Sequence, residues 1–577
     1  MNEPKTKTEN YQNFGGINEK ASLYLTSNND CLSLLNLDFA KPGALSSMPG
    51  SALFSVANVA LGRISGLYEY IRLNGSSHII FSANSIIYQT DGVTTSAIRL
   101  GVTVDALFDF TTFVDTLFMT NGYEFLKYDE SAVTKFSAPG GTSMGIGLGI
   151  AAAGLSGAFQ YGYGYLTTSG YYTGVGNRAT LAVSGTQAIT SGFTYPGDYG
   201  ITAGVMYRTS PGGADLFFLS FFALNTATFI DSGLTALGLL PESDSTFFTL
   251  APRYLELFQN SLFMIGSTQF PSTAFYSELG QPETILPDAN FEVRTNDGDI
   301  LTGGKFYGPA LYLTKQNSFS KVIGTDTTNF TLVEISDQYG CLSNRTMVVY
   351  NDILLFLDRK GIVRYNGTTP EIISTKIEDT FLSMNIDAAL GNANAVHFKY
   401  RNQVWWGIPT NGSTINNTII VYDYLADSWT VREGFFPSSM GFIKSTFPRQ
   451  TIFYGGYTGS IHYVSASLFS DNSQGITYAM QSKFYNVFGP SSTAQYRKLF
   501  IDTDPIVGAT VPLTINFRVN EQDAIVLTRQ TYFDQFQTIV NLGIPAKSLS
   551  VEFITSGTTL PIRINGFTLE ARLQRRE

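Results

Sequence analysis

The side chains able to do acid–base or metal chemistry are few and scattered. The three histidines, His78, His397 and His462, lie far apart along the chain, so a histidine metal site would need three separate segments to converge. Structural or surface roles are expected for all three. Cys31 and Cys341 are the only cysteines, and neither has a Cys-x-x-Cys partner. That spacing indicates neither a thiolate metal site nor a disulfide framework, and two buried thiols are expected. No His–Ser or His–Cys arrangement offers a nucleophile and its base.

Three weaker signals have ordinary readings beside the chemical ones. Asp297-Gly298-Asp299 and Asp502-Thr503-Asp504 could offer carboxylates to a cation, but neither has the spacing of a calcium loop, so solvated turns are expected. Gly147-x-Gly149-x-x-Ala152 nominally fits a dinucleotide fingerprint, yet it runs into β-like sequence with no βαβ unit around it. A glycosidase needs two carboxylates at a set separation, and 46 acidic residues always contain some such pair. The Ser-x-Asp-x-Gly-x-x-Trp box of sialidase-type propellers is absent. The expectation is a protein that is not an enzyme, with no catalytic residue, no cofactor-binding residue, no metal ligand and no cofactor.

The elements that must position these residues are strands. Helical periodicity is almost absent, while short β-branched and aromatic runs recur between Gly, Asn and Asp turns. One pattern repeats: a polar turn, an aliphatic or aromatic strand, a second turn, then a strand with Tyr. Copies begin at Ser76 (SSHIIFSANSIIYQTDG), Val114 (VDTLFMTNGYEFLKYDE), Phe258 (FQNSLFMIGSTQFPSTAFYS), Tyr307 (YGPALYLTKQNSFSKVIG) and Tyr350 (YNDILLFLDRKGIVRYNG). Further copies are the pair YRNQVWWGIP and TIIVYDYLADSW from Tyr400, and RQTIFYGGYTGSIHYV from Arg449. Away from one interruption their starts are about 40 to 50 residues apart, near the period of a four-stranded propeller blade. The fold class expected is all-β, a β-propeller of six to eight blades with seven preferred. Trp405, Trp406 and Trp429 then read as packing between blades.

The domain boundaries follow from where the repeat starts, breaks and stops. Residues 1–60 form an N-terminal arm and first strands, and 61–137 the first part of the propeller. After a flexible linker, SAPGGTSMGIGLGIAAAG, comes an inserted fibronectin type III-like β-sandwich at 155–245. Its signs are alternating aromatics, a Tyr207-Arg208-Thr209 strand and a late Thr228-Phe229-Ile230-Asp231 turn. Residues 246–478 continue the propeller, and 479–577 form a C-terminal β domain with strands such as LTINFRVN.

Charged residues make only 14% of the chain, well under the roughly 25% usual for soluble domains. Surfaces so poor in charge are expected to be covered by uncharged polar side chains and by other subunits, so an obligate assembly is expected. The net charge of −10 argues against gripping nucleic acid through phosphates. The N-terminus has no apolar h-region, so no secretory signal is read. The apolar stretch Met144 to Leu155 is too short to span a bilayer, and no membrane anchoring is expected.

The segment FGGINEKASLYLTSNNDCLSLLNLDFAKPGALSSMPGS, Phe14 to Ser51, resembles the opening of short-tailed bacteriophage nozzle proteins, the tail tubular protein B-like or phage stabilisation protein-like family. The matching residues are Gly15, Gly16, Ile17, Asn18, Asn36, Asp38, Gly43, Ala44, Leu45, Pro49 and Gly50, with Met48 standing where the family usually has Arg or Lys. FYSELGQPE, NDGDILTGG, DQYGCLSNRTM and DRKGIVRYNGTTP look like the same family's propeller body. The resemblance implies a virion structural protein of the tail, assembled in the bacterial host cytoplasm. Its partners would be itself in a ring, usually a hexamer, the head–tail adaptor protein, and tail fibre or tip proteins. Double-stranded DNA would pass without specific binding as the ring extends the ejection channel. The alternative is a receptor-binding or carbohydrate-binding tail protein on a β-propeller.

Overall fold

The computed structural model describes residues 5–20, 26–41, 43–54, 62–238, 248–444, 450–489 and 491–574. The opening residues 1–4 and the terminal Arg575 and Arg576 lie outside them. Each repeat copy read from the sequence supplies the two middle strands of one four-stranded antiparallel unit. The first unit is Ile64–Ile71, Ser77–Ala83, Ile86–Thr90 and Thr95–Leu100, and the second is Asp109–Phe113, Thr116–Thr120, Phe125–Tyr128 and Val133–Lys135. The third runs from Pro252–Phe258 to Asn290–Glu292, the fourth from Leu301–Tyr307 to Thr331–Ser336, and the fifth from Val348–Tyr350 to Pro370–Ile372. The sixth runs from Asn394–Phe398 to Ser428–Arg432. The seventh takes Ser439–Ile443, Thr451–Gly455 and Ile461–Ser465, and borrows its fourth strand, Gly50–Leu53, from the other end of the chain.

The middle strands are buried on both faces, as in SLFMIGS (Ser261–Ser267) and QVWWGI (Gln403–Ile408). The reason is that every unit packs between two others. Ile80 meets Leu117 and Met119 of the second unit, whose Phe118 meets Leu262 and Met264 of the third. Phe263 and Ile265 then meet Leu311 and Leu313, Phe319 meets Phe356 and Val363, and Leu357 meets Val404 and Trp406. Trp405 and Val421 meet Ile452 and Tyr454. Finally Phe453 and Ile461 pack on Phe81 and Tyr88, which returns to the first unit. Sheets stacked in a closed cycle are a β-propeller, and the protein is all-β apart from a few short helical turns such as Ile386–Asn392.

Between the second and third units the chain leaves the cycle to form a five-stranded sheet. It is ordered Leu216–Phe222, Ile201–Thr209, Gly145–Thr167, Ala179–Ser191, Thr228–Asp231. Two sequence expectations need correction here. The Gly-rich stretch expected as a flexible linker is largely strand: Gly145 to Leu148 pair with Ser191 to Ala188 before a bulge. Glycine content suggests flexibility, but the Gly–aliphatic alternation has a period of two, which suits a strand. Thr228–Asp231 is likewise an edge strand, not a turn.

Past the seventh unit the chain builds two facing sheets. One contains Gln474–Ser482, Leu549–Thr558, Pro512–Val519 and Ile525–Tyr532; the other contains Ala494–Thr503, Gln537–Ala546 and Arg563–Leu573. Ile515, Phe517, Val551, Phe553, Phe567 and Leu569 fill the space between them. The N-terminal strands join this assembly. Thr6–Tyr11 and Ala44–Ser47 pair with Arg563–Leu573, and Cys31–Leu35 pairs with Gln474–Ser482. The expected domain edge at 478/479 therefore falls inside one strand.

Candidate functional site

The residues that carry the family resemblance lie together, and their chemistry is fastening. Gly16 has φ +98°, and a Cβ there would sit 2.9 Å from Ser428 Cβ, so only glycine lets this backbone lie against the sixth unit. Ile17 N donates to Trp429 O at 3.0 Å, and Asn18 Nδ2 donates to Asp30 Oδ2 at 2.8 Å. Asn36, left-handed at φ 60°, donates from Nδ2 to Thr477 O at 2.7 Å. Its Oδ1 accepts from the Arg432 guanidinium at 3.0 Å and from Glu433 N at 2.8 Å. Arg432 is fully buried, ion-paired with Asp471 and stacked over Phe435. Asp471 in turn accepts from Ser51 Oγ, on the borrowed strand, at 2.9 Å. Asp38, also fully buried, pairs with Arg401. Met48 is fully buried in a cluster with Trp405, Phe435 and Tyr454, a setting that suits an apolar side chain.

A second polar cluster sits where the first strands of the units meet around the axis. Asp109 Oδ2 accepts from Leu255 N at 2.8 Å and Asn344 Nδ2 at 3.3 Å. Asn344 Oδ1 accepts from Gly304 N at 3.0 Å, and a Cβ on Gly303 would come within 2.5 Å of that oxygen. Glu256 is held by Lys305 at 3.2 Å and by Phe306 N at 3.1 Å. Arg345, from the turn before the fifth unit, reaches across to donate to Ser65 O at 2.6 Å and Phe108 O at 3.0 Å. Units on opposite sides are thus joined through the axis. Burial raises the Asp109 carboxyl to about 6 even though Leu255 N pulls it down. Burial, with Arg63 nearby, lowers the Arg345 guanidinium to about 10.

A carboxyl with a raised pKa is a candidate acid, but acid–base work needs lone pairs open to a substrate. Asp109 and Glu256 both accept fixed donors. Sequence reasoning missed this cluster: Arg345 lies in the DQYGCLSNRTM motif, but its partners are about 240 or more residues away.

The candidate residues of the sequence are not brought together. His78 of the first unit contacts Glu130 of the second at 3.3 Å, His397 meets Tyr424 at 3.2 Å in the sixth, and His462 meets Ser460 at 2.9 Å in the seventh. Burial pushes His397 down to about 4. Cys31 and Cys341 are both buried free thiols, raised by desolvation, with Cys341 at about 11. Asp297 meets a cation, but it is the buried Lys315 ammonium at 2.8 Å, which also donates to Arg294 O and Asp299 O. Asp504 pairs with Arg563 at 2.6 Å, and Asp502 accepts from Gln537 at 2.9 Å. Gly147 and Gly149 lie within a strand, not at a strand-to-helix turn. Among the described residues no group of three or more His, Cys, Asp or Glu side chains is placed to hold a metal ion. No described helix is long and apolar enough to cross a membrane.

No family model matches the chain, and no curated protein matches it in sequence. Similar solved structures include BBS1N in complex with ARL6DN, at 8% identity and TM-score 0.27 over 72% of this chain and 98% of that one. The Neurospora crassa Pan2 WD40 domain matches at 7% identity and TM-score 0.27, over 73% and 95%. An exo-β-1,3-galactanase from Phanerochaete chrysosporium matches at 8% identity and TM-score 0.17, over 81% and 97%. Likeness this slight says nothing about what the chain does.

Proposed function

We propose that this chain is a non-enzymatic structural subunit of a short phage tail, forming a ring, most simply a hexamer, below the head–tail adaptor. The observation that carries the reading is the clasp: the residues of the Phe14–Ser51 resemblance tie the N-terminus to the propeller and the C-terminal sheets at once. Such fastening suits a part that must stay closed under load. We read the seven units as seven blades closed by Gly50–Leu53, and the five-stranded insertion as fibronectin type III-like.

Low charge density supports burial of the outer surface by neighbouring subunits. Because Arg345 bridges to Ser65 O and Phe108 O across the propeller axis, DNA would run through the ring between subunits and not through any one of them. The net charge of −10 favours passage without adhesion.

The test is electron microscopy of intact virions carrying a labelled copy of this chain. A ring of label around the tail axis is expected; a single copy per particle, or label on the capsid, would overturn the reading. The rival, a receptor- or carbohydrate-binding tail protein, would bind cells or glycans without entering a ring.

A further inference from the structure

Where the insertion meets the second and third units, the surface opens into a cleft of 880 Å³. That is within the roughly 300–1,000 Å³ of small-ligand sites. At one wall the buried Lys127 Nζ donates to both Glu283 oxygens at 2.9 and 2.7 Å, and Ser169 of the insertion joins them. Half-buried aromatic rings flank the opening: Tyr171 and Tyr172 from the insertion, Phe113 from the second unit. Between them stand Arg72, Asp115, Asp129 and the exposed Gln281.

One wall residue departs from the chemistry of its turn. Val114 has φ +54° at the hairpin between the first two strands of its unit. The same first loop position is Gln259, Gly308 and Asn351 in the next three units, all left-handed and none β-branched. A β-branched residue there is a genuine outlier, and such strain collects at ligand sites. Val114 is also 60% exposed at the cleft, so core packing does not account for it.

We infer that this cleft is a binding site for a neutral saccharide. Aromatic faces beside carboxylate, guanidinium and amide groups match the two sides of a sugar. The C–H face of a pyranose stacks on a tyrosine ring. Its hydroxyls donate to Asp115 or Asp129 and accept from Gln281 or Arg72. Anionic ligands are disfavoured, because Arg72 is already paired with both Glu130 and Asp115 and Lys127 with Glu283, while Asp129 adds a further negative charge. The site goes beyond the nozzle reading, and its test uses the soluble subunit, so failure of one does not decide the other.

The experiment is saturation-transfer NMR on the full chain with the methyl glycosides of glucose, galactose, mannose and N-acetylglucosamine, maltohexaose, and sialyllactose as the anionic comparison. At least one neutral probe should bind saturably with Kd about 1 mM or tighter. Tyr172→Ala and Gln281→Ala should each weaken it about tenfold, and Tyr400→Ala, on the distant sixth unit, should not. Gln281 is exposed, so Gln281→Ala keeps the test valid if Tyr172→Ala misfolds. Absence of saturable neutral binding, binding indifferent to Gln281→Ala, or a preference for sialyllactose would overturn the inference.

Discussion

Lys127 and Glu283, 156 residues apart, form a two-pronged ion pair, and their side chains are only 3% and 2% exposed. Lys127 belongs to the third strand of the second unit, and Glu283 to the loop after Thr273–Tyr276 of the third. Between these two units in sequence lies the whole insertion, so the pair closes the gap that the insertion opens.

Glu283→Gln should therefore cost about 3–5 kcal/mol, because it leaves a buried ammonium without its counter-charge. The double variant Lys127→Met/Glu283→Leu should be less damaging than either single change, since it removes both desolvated charges. Urea denaturation of the three variants measures this. A double variant worse than both singles would show that the pair itself, not the avoidance of a lone charge, stabilises the junction.

Arg432→Met removes the group that joins Asn36, Asp471 and the backbone oxygen of Glu433. A loss of about 3–5 kcal/mol is expected, because Asp471 is left in a part-buried site without its cation. Arg432→Lys keeps the charge but loses the planar fork, so an intermediate loss is expected. Limited proteolysis should cut first within the N-terminal clasp in both variants, ahead of the propeller strands.

The strand repeat was legible because its pattern is local. Each copy contains its own turn and two buried strands, so residues such as Leu262–Ile265 announce themselves without their partners. The closing strand Gly50–Leu53 was not legible as such. Its partner Ile461–Ser465 lies about 400 residues away, and a four-residue GSAL carries no mark of which sheet it joins. The Arg345 cluster was hidden for the same reason. The Gly145–Leu148 strand was missed for another: glycine's weak strand preference outweighed a clear alternation. In the N-terminal motif the turn residues were visible, but not that they hold three parts of the molecule together.

Two half-buried groups should give opposite pH dependences. Asp109, raised to about 6 in the fold from an ordinary value of 3.8, binds a proton more readily folded than unfolded between those values. Stability should then fall as pH rises through that window, by at most about 1.4 kcal/mol per pH unit from this group. His397, lowered to about 4 from 6.5 by burial, binds a proton less readily when folded, so its contribution falls as pH drops from 6.5 towards 4. Asp109→Asn should make stability rise more steeply with pH between 4 and 6, and His397→Gln should make it rise less. Denaturation midpoints at pH 4, 5, 6 and 7 separate the two. Identical pH curves for both variants and the parent would refute both assignments.

Excising the insertion, residues 139–247, behind a short Gly/Ser linker should leave the propeller folded but weaker. No strand of the seven units is removed, and lengthening or shortening a surface connection changes loop entropy only slowly. What the propeller forfeits is a small set of polar interactions. Arg99 and Lys135 of the first two units both pair with Asp198 of the insertion, and Lys135 N donates to Asp198 O at 2.7 Å. Exposed pairs of this kind are worth about 0.2–1 kcal/mol each. Glu283 also loses Ser169 while keeping Lys127. Together these amount to about a few kcal/mol against a core formed by seven stacked sheets, so a single cooperative melting transition at lower temperature is expected. Strand content by circular dichroism should fall only by the five excised strands. Aggregation of the excised protein under conditions where the parent is soluble would show that the insertion shields part of the propeller core, and that the packing of Tyr171 and Tyr172 against the cleft is structural before it is anything else.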